Sequence, residues 1–230
     1  MSVQQKIKSR VQEDLLSLYL RLNGYFVTGF IVHSPILGRN KAEIDALAVR
    51  FPLNQEPERQ VITSQYLEPS DQLLDLLICE VKSGRQRLQF NEALRDYSPA
   101  IASVLRWAGM FSEEEIPEIV RQLQEVLQPH NPSRREIPTV LAPRNIQVRG
   151  IMCSPEKVNR RDNQPWFIHG TELFHFIWQC FRPDVPRDSC STRYDFTAWG
   201  GQYEKIVEYF KDADRTEPGT IRDLYAHLKI

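Results

Sequence analysis

Two stretches decide the fold of this chain: Ala42-Glu43-Ile44-Asp45-Ala46-Leu47-Ala48-Val49 and Leu76-Leu77-Ile78-Cys79-Glu80-Val81-Lys82. Both are rich in aliphatic residues and have the length of a β-strand, yet both carry charged side chains where a buried strand would have none. Side chains alternate along a strand, so Glu80 and Lys82 are expected on one face of the second stretch. Charges beside an apolar sheet are costly to desolvate unless they have a task. Asp45, Glu80 and Lys82 are therefore candidate functional residues.

A helix and a strand are predicted before these two stretches. Apolar residues recur at helical spacing through residues 3–23, and Gly24 is typical of a helix end. On this helix Glu13 and Asp14 lie just beyond the two edges of the apolar arc, so either carboxylate could reach inward. Residues 25–32 are aromatic and β-branched, which predicts the first strand of the sheet.

The remainder of the chain alternates between helices and strands. Residues 52–72 are polar and contain prolines, which indicates an excursion between the second and third strands. The further predicted helices run from about 86 to 105 with a break or kink at Pro99, from a cap at Ser112 to about 128, over 172–181 with Thr171 as the cap, over 201–212 and over 220–228. The further predicted strands lie at 137–141, 146–152 and 166–168. This order predicts an α/β fold with a central mixed β-sheet flanked by helices and with extra C-terminal helices. We expect one main domain over residues 1–197 and a C-terminal helical extension over 198–230 that packs on it.

The composition is that of a globular protein with a sizeable core. The chain has 230 residues, of which 41% are hydrophobic and 26% are charged. Its four cysteines show no close pairing or zinc-binding spacing, so reduced thiols are expected. No apolar run is long enough for a membrane helix, and the first residues lack a signal-peptide core, so a cytoplasmic location without membrane association is expected. The net charge of −1 argues against broad non-specific nucleic-acid binding but leaves room for a local basic groove.

The charged residues of the two stretches suggest a particular chemistry. Asp45 and Glu80, with a backbone carbonyl near Val81, offer the hard oxygen ligands that Mg²⁺ prefers. A cation held there would polarise a phosphodiester and acidify a water molecule, and Lys82 could orient that water or offset the developing charge. Glu13 could complete the ligand shell, directly or through a water.

These residues resemble the PD-(D/E)xK nuclease superfamily. Residues 13–25 resemble the opening helix of the archaeal Holliday-junction resolvases, in which a glutamate precedes a Gly-aromatic pair by this interval. Glu43-Ile44-Asp45 resembles the second-strand aspartate motif, and Cys79-Glu80-Val81-Lys82-Ser83 resembles the third-strand signature. The resemblance covers about residues 8–90. Ala42 and Glu43 depart from it where some members have a proline or glycine, and the excursion at 52–72 is longer than in the minimal resolvases.

The resemblance implies a restriction-endonuclease-like fold and a divalent-metal-dependent deoxyribonuclease that hydrolyses phosphodiester bonds. It implies Glu13, Asp45, Glu80 and Lys82 as catalytic residues. It also implies Mg²⁺ as the cofactor, replaceable by Mn²⁺, with Glu13, Asp45, Glu80 and the Val81 carbonyl as ligands. DNA is the expected partner, a homodimer through the C-terminal helices is possible, and no small-molecule cofactor is expected. Arg85 and Arg87 flank the site and are the candidate DNA contacts. Further basic residues that could line a groove are Arg134, Arg135, Arg144, Arg149, Lys157, Arg160 and Arg161.

Simpler interpretations stand beside this one. Glu80 and Lys82 could form a surface ion pair of little consequence, and Asp45 could be a charge that protects a sheet edge. Glu13 could be an ordinary solvent-facing helix residue. At the level of function, the alternatives are a catalytically inactive nuclease fold that binds DNA or a protein, and a nuclease that acts on RNA.

Overall fold

The computed structural model describes residues 2–33, 40–55, 61–84, 86–129, 136–161, 164–182 and 199–230. The helices are α1 (Val3–Leu22), α2 (Glu92–Arg95), α3 (Ser98–Ala108), α4 (Ile116–Leu127), α5 (Gly170–Phe181), α6 (Gly201–Lys211) and α7 (Ile221–Leu228). The strands are β1 (Phe26–His33), β2 (Asn40–Arg50), β3 (Leu74–Val81), β4 (Thr139–Ala142), β5 (Ile146–Ser154) and β6 (Ile168–His169). No helix among these residues combines the length and apolar character that crossing a membrane requires.

The six strands form one mixed sheet between two layers of helices. The strand order is β1-β2-β3-β5-β4, and β6 pairs with β5 beyond that path. Antiparallel pairing joins β1, β2 and β3, whereas β3 and β5 are parallel. Helices α1, α5, α6 and α7 pack in the core on one side of the sheet, and α2, α3 and α4 pack in the core on the other. The predicted α/β class with a mixed sheet flanked by helices is confirmed.

The opening helix is fixed at both ends by local chemistry. Ser2 and Gln5 form a capping box that satisfies amide groups of the first turn. After the helix, Gly24 adopts a φ of 84°, and a β-carbon there would lie 2.3 Å from the Asn54 side-chain oxygen. The chain can therefore reverse directly into β1, as the sequence predicts.

The C-terminal helices share the main core of the molecule. On α6 and α7 the buried apolar residues are Tyr203, Ile206, Val207, Tyr209, Phe210, Ile221, Leu224 and Tyr225. They pack with residues of α1 and α5 in one continuous core. The predicted boundary at residues 197 and 198 lies outside the described residues.

Two of the predicted helix starts after β3 are wrong. The helix that follows β3 begins at Glu92 instead of near residue 86, because residues 86–91 form bends that bury Leu88 and Phe90. The break predicted at Pro99 is present, since α2 ends at Arg95 and Pro99 lies in the first turn of α3, where its missing amide costs nothing. The second wrong start concerns Ser112, which is followed by a turn, so that α4 begins four residues later at Ile116.

A third wrong helix start is that of α5. His169 is the capping residue, since its Nδ1 accepts a hydrogen bond from the Glu172 amide at 3.2 Å. The predicted cap, Thr171, lies inside the helix. A neutral imidazole nitrogen can accept a hydrogen bond as a hydroxyl oxygen does, which is why the helix can begin two residues earlier than expected.

A β-bulge lies in β2 at the candidate residue Asp45. Thr28 pairs with Leu47 and Phe30 pairs with Ile44, so two residues of β2 oppose the single residue Gly29. The packing of the neighbouring residues shows the same change in alternation. Ile44 and Leu47, three residues apart, pack on one side of the sheet, while Ala46 packs on the other. The bulge therefore changes the direction of the Asp45 side chain relative to a regular strand.

The cysteines that the structure describes form no disulfide. Cys79 and Cys153 are fully buried in the core that contains α1, and Cys180 is half-buried. Burial raises the pKa of both core thiols, which keeps them protonated and unreactive. Cys190 lies outside the described residues.

Candidate active site

The end of β3 opens into a polar cleft of about 500 Å³. One wall consists of the sheet residues Asp45, Val81 and Lys82, and the facing wall comes from the N-terminal half of α1. Most of the other lining groups are neutral amides and hydroxyls or belong to the turn after β3. These residues are Gln5, Lys8, Ser9, Gln12, Ser83, Gly84, Gln86, Asn91 and Glu156. The cleft thus brings the two charged stretches together with the opening helix.

Asp45 is held against the end of β3 by a backbone hydrogen bond. Its Oδ2 accepts from the Val81 amide at 2.7 Å, which fixes the carboxylate beside the strand that carries the other candidates. Burial raises the pKa of Asp45, and the hydrogen bond from Val81 and the charge of Lys82 counteract part of that rise. This carboxylate is therefore positioned and partly desolvated, unlike a charge that only protects a sheet edge.

Glu80 and Lys82 form a buried pair that a third residue braces. The Lys82 Nζ lies 3.4 Å from the Glu80 Oε2 and donates to the Asn91 Oδ1 at 2.7 Å. The Asn91 amide donates to the same Glu80 oxygen at 2.6 Å. Both side chains are almost completely buried, so the interpretation as a surface ion pair is wrong. The predicted placement of Glu80 and Lys82 on one face also agrees with the packing of Leu76 and Ile78 in the opposite core from Cys79.

The second oxygen of Glu80 is an unusual feature of the pair. Glu80 Oε1 is buried and has no hydrogen-bond partner among the described residues. A buried carboxylate oxygen without a donor costs about 1–3 kcal/mol or more, so natural proteins rarely retain one without a function. Burial raises the pKa of Glu80 to about 7, against the opposing effects of Lys82 and the Asn91 amide.

The structure distinguishes between the two acidic residues of α1. Glu13 is half-buried, and its pKa is raised to about 7 by burial first and by the nearby charge of Asp45 second. The pKa of Asp14 is raised to about 6 by burial, and the charge of Arg10, whose Nε lies 3.4 Å from the Asp14 Oδ1, counteracts part of that rise. Of the two α1 carboxyl groups, Glu13 is thus the one whose pKa is raised by the charge of Asp45.

These carboxyl groups fit a bound cation. Glu13, Asp45 and Glu80 all have raised pKa values, which means that the site disfavours its own negative charges. A divalent ion would reverse that penalty and supply a partner for Glu80 Oε1. Within the described part of the chain, no group of three or more His, Cys, Asp or Glu side chains is arranged to hold a metal. Mg²⁺ commonly uses only one or two carboxylates and completes its shell with waters and substrate phosphates, so Asp45, Glu80 and the Val81 carbonyl remain a compatible set.

The raised pKa values predict how pH changes the stability of the metal-free protein. Between about pH 4.5 and pH 7 the folded chain holds protons on Glu13 and Glu80 that the unfolded chain has released. Raising the pH through this window therefore lowers the free energy of unfolding. Mg²⁺ should raise the melting temperature at about pH 8 and have little effect at about pH 5, where protons occupy the carboxyl groups. Melting curves with Mg²⁺ and with EDTA at both pH values measure this, and equal shifts at the two pH values would contradict it.

The basic residues predicted to contact DNA or to line a groove differ in their positions. Arg85 lies outside the described residues, as do Arg134 and Arg135. Arg87 is exposed on the turn after β3. Arg149 cannot line a groove, because it is buried in an ion pair with Asp75. Arg144 is engaged by Glu115.

Two further cations lie at the cleft or beside it. Lys8 lines the cleft, with Nζ 4.8 Å above the Tyr225 ring, and the Lys157 Nζ donates to the Gly84 carbonyl oxygen at 3.0 Å. Positive groups at the candidate site are therefore also supplied by α1 and by the segment after β5.

Two site residues escape prediction from the sequence. Asn91 braces Glu80 and Lys82 from the position just before α2, where an asparagine is a common N-cap and could have signalled a helix start. Gln12 is a buried polar residue whose Nε2 donates to the Tyr225 hydroxyl at 2.8 Å and to Glu156 at 3.3 Å. No spacing rule connects Gln12 with α7, because that contact is created only by tertiary packing.

Comparison of this chain with protein-family models, with curated proteins and with solved structures found no match. The arrangement of Asp45, Glu80 and Lys82 is therefore interpreted through its own geometry.

Proposed function

We propose that this protein is a divalent-metal-dependent deoxyribonuclease of the restriction-endonuclease-like type, with its active site at the end of β3. The observation that supports this best is that Asp45 and Lys82 line one cleft, while Glu80, paired with Lys82, has a buried oxygen without a donor among the described residues. The order of α1, three antiparallel strands and a parallel β5 is compatible with that type. The raised pKa of each of the three acidic residues, Glu13, Asp45 and Glu80, adds a requirement for positive charge that a cation would meet.

The proposed roles follow from the contacts of each side chain. Asp45 and Glu80 would hold Mg²⁺ or Mn²⁺ together with the Val81 carbonyl, and Glu13 would act through a water or through its charge. When bound, the ion supplies a positive charge for the phosphate and a more acidic water. Asp45 keeps its orientation through the Val81 amide, and Glu80 keeps its orientation through the Asn91 amide.

Lys82 is assigned to charge stabilisation. Its two contacts, the Asn91 Oδ1 and the Glu80 carboxylate, are both acceptors, so the Lys82 Nζ acts as a donor in both. An ammonium group cannot take a proton from water, but it can offset the negative charge that grows on phosphate oxygens during attack. Of the two roles open to this lysine from the sequence, the contacts therefore support the electrostatic one.

The test of the proposed function is cleavage of supercoiled plasmid and of a labelled four-way junction in the presence of Mg²⁺ or Mn²⁺. We expect cleavage that EDTA abolishes, and the comparison of the two substrates identifies the preferred DNA form. Matched single strands of DNA and RNA, added to the same assay, measure the preference between the two nucleic acids. Cleavage of the RNA strand alone would contradict the assignment to DNA.

Asp45→Asn is expected to remove both metal binding and cleavage. The asparagine keeps the size of the side chain but has no charge to offer a cation, so Mg²⁺ affinity should fall at least about tenfold. Isothermal titration calorimetry with Mg²⁺ and Mn²⁺ measures this directly.

A matched control for that variant is Glu43→Gln, which removes an exposed carboxylate two residues earlier on the same strand. Metal affinity close to that of the wild type is expected for this control. Wild-type cleavage by Asp45→Asn in Mg²⁺ would overturn the assignment of Asp45 as a ligand.

A nuclease-like fold that binds DNA or a protein without cleaving is the second candidate. It is favoured by one observation: the described residues hold no group of three or more metal-ligating side chains. This candidate predicts that calorimetry detects no Mg²⁺ or Mn²⁺ site and that neither plasmid nor junction is cut. Metal binding with a dissociation constant below about 1 mM would count against it.

A further inference from the structure

Strand β1 forms one edge of the sheet. It spans eight residues and pairs with β2 on one side, and no described strand pairs with its other side. A strand in this position presents a row of backbone donors and acceptors that can pair with another chain. The opposite edge is formed by β4, which has only four residues. The β1 edge therefore presents a longer row of backbone hydrogen-bonding groups than the β4 edge.

Four of the ten large apolar side chains that are exposed among the described residues lie on β1 or contact it. Phe26 and Ile31 of this strand are 69% and 42% exposed. Phe51, 52% exposed, contacts the Phe26 ring with centroids 5.9 Å apart, and Trp107, 56% exposed, contacts Phe30 at 5.3 Å. Large exposed apolar side chains grouped beside one strand are typical of an interaction surface.

The sequence of β1 lacks the features that usually protect an edge. From Phe26 to Val32 it reads Phe-Val-Thr-Gly-Phe-Ile-Val, with no charged residue and no proline. The irregularities in its pairing place the extra residues in β2, so β1 itself is not bulged. Gly29 at its centre has open space where a β-carbon would be, which is compatible with the close approach of another backbone.

Self-pairing would be free of charge repulsion. An antiparallel partner strand with this same sequence brings only apolar, threonine and glycine residues opposite one another, and such cross-strand pairs are favourable. A charged peptide would gain nothing comparable from a strand without charges. The self-complementary sequence thus selects a second copy of this chain as the occupant.

The C-terminal helices offer less surface for the same purpose. Their large apolar residues are already buried against α1 and α5, and every exposed large hydrophobic residue of the described chain lies outside α6 and α7. A dimer formed through these helices would therefore have little exposed apolar surface to bury among the described residues.

We infer that this protein forms a two-fold symmetric dimer in which the β1 strands of two copies pair antiparallel, so that the two sheets become continuous. The pairing covers Phe26, Ile31 and the rings that contact this strand. This inference is independent of the proposed catalytic function, because it depends only on the sheet edge.

The experiment is light scattering coupled to size-exclusion chromatography of the full chain, over a range of concentrations, with two matched variants. Thr28→Lys places a charge on the exposed edge of β1, and a two-fold axis near this position brings the two lysines close together. Thr139→Lys places the same charge on the exposed β4 edge and serves as the control. We expect the wild type and Thr139→Lys to have twice the mass of 26.9 kDa. For Thr28→Lys we expect a dissociation constant raised at least about tenfold.

Circular dichroism establishes that each variant is folded, and Ile31→Lys, which charges the other exposed side chain of β1, replaces Thr28→Lys if that variant unfolds. A wild-type protein that stays monomeric up to about 100 μM would overturn the inference. So would a dimer that Thr28→Lys and Ile31→Lys leave as stable as Thr139→Lys does.

Discussion

Lys82→Ala is expected to abolish cleavage while leaving metal binding in place. The ammonium group is held by the Asn91 Oδ1 at 2.7 Å and by Glu80 at 3.4 Å, at the mouth of the cleft that contains Asp45. Removing it leaves the proposed ligand carboxylates in place and removes a positive charge that lines the cleft beside them. Loss of a preorganised charge of this kind lowers kcat at least about a hundredfold. Plasmid nicking under single-turnover conditions measures the loss, and calorimetry measures the retained Mg²⁺ affinity.

Two further variants distinguish catalysis from folding in this experiment. Lys82→Met keeps most of the buried side-chain volume, so a loss of activity in both Lys82 variants points to the charge and not to a cavity. Lys205→Ala removes an exposed lysine of α6 that pairs with Glu208, and it should cleave as the wild type does. Cleavage by Lys82→Ala within threefold of the wild-type rate would place the chemistry elsewhere.

Asp75→Ala is expected to cause the largest loss of stability of any single substitution considered for this chain. Asp75 lies on β3 five residues before Glu80, Arg149 lies on the neighbouring parallel strand β5, and both are almost completely buried. The Arg149 Nε donates to the Asp75 Oδ1 at 2.9 Å, its other nitrogens contact the Asp75 Oδ2 and the Leu67 carbonyl, and the Tyr25 hydroxyl donates to the Asp75 Oδ2 at 2.6 Å. Alanine would leave a buried guanidinium without its counter-charge.

The expected cost is about 3–5 kcal/mol, a large part of the total stability of a typical domain of about 5–15 kcal/mol. Urea unfolding followed by circular dichroism measures it through the midpoint. The double variant Asp75→Leu with Arg149→Met removes both charges and should recover much of the loss, because no buried charge is then unpaired.

A surface pair provides the control for this prediction. Glu113→Ala breaks the bidentate pair with Arg106, which lies on the protein surface with both partners more than half exposed. Its midpoint should stay close to that of the wild type, since solvent screens such pairs. An Asp75→Ala midpoint as high as that of Glu113→Ala would show that the buried network contributes nothing specific.

The core elements of the site could be predicted from the sequence because they depend on local patterns. The apolar stripe of α1 and the glycine at position 24 predict the opening helix and its end, and the aliphatic runs predict β2 and β3. Alternation predicts that Glu80 and Lys82 share a face. Each of these features depends on residues close together in the chain, so the sequence contains the information directly.

Helix starts after β3 were less predictable, since tertiary burial competes with local preference there. Leu88 and Phe90 have helical spacing with Leu94, but turns bury them against the sheet before α2 begins. Pro99 predicts an interruption of the helix, but the residue at which the next helix begins depends on the turn before it.

By itself the sequence determined the class of the fold, the strands that carry the charged residues and the identity of Asp45, Glu80 and Lys82 as candidates. The tertiary structure alone decided how these residues meet. The bulge opposite Gly29 directs Asp45 toward the Val81 amide, Asn91 braces Glu80 and Lys82 from another element, and α1 brings Glu13 within reach of Asp45. The physical reason is that periodicity fixes which face a side chain occupies, whereas the direction, burial and pKa of a charged group depend on neighbours that are distant in the chain.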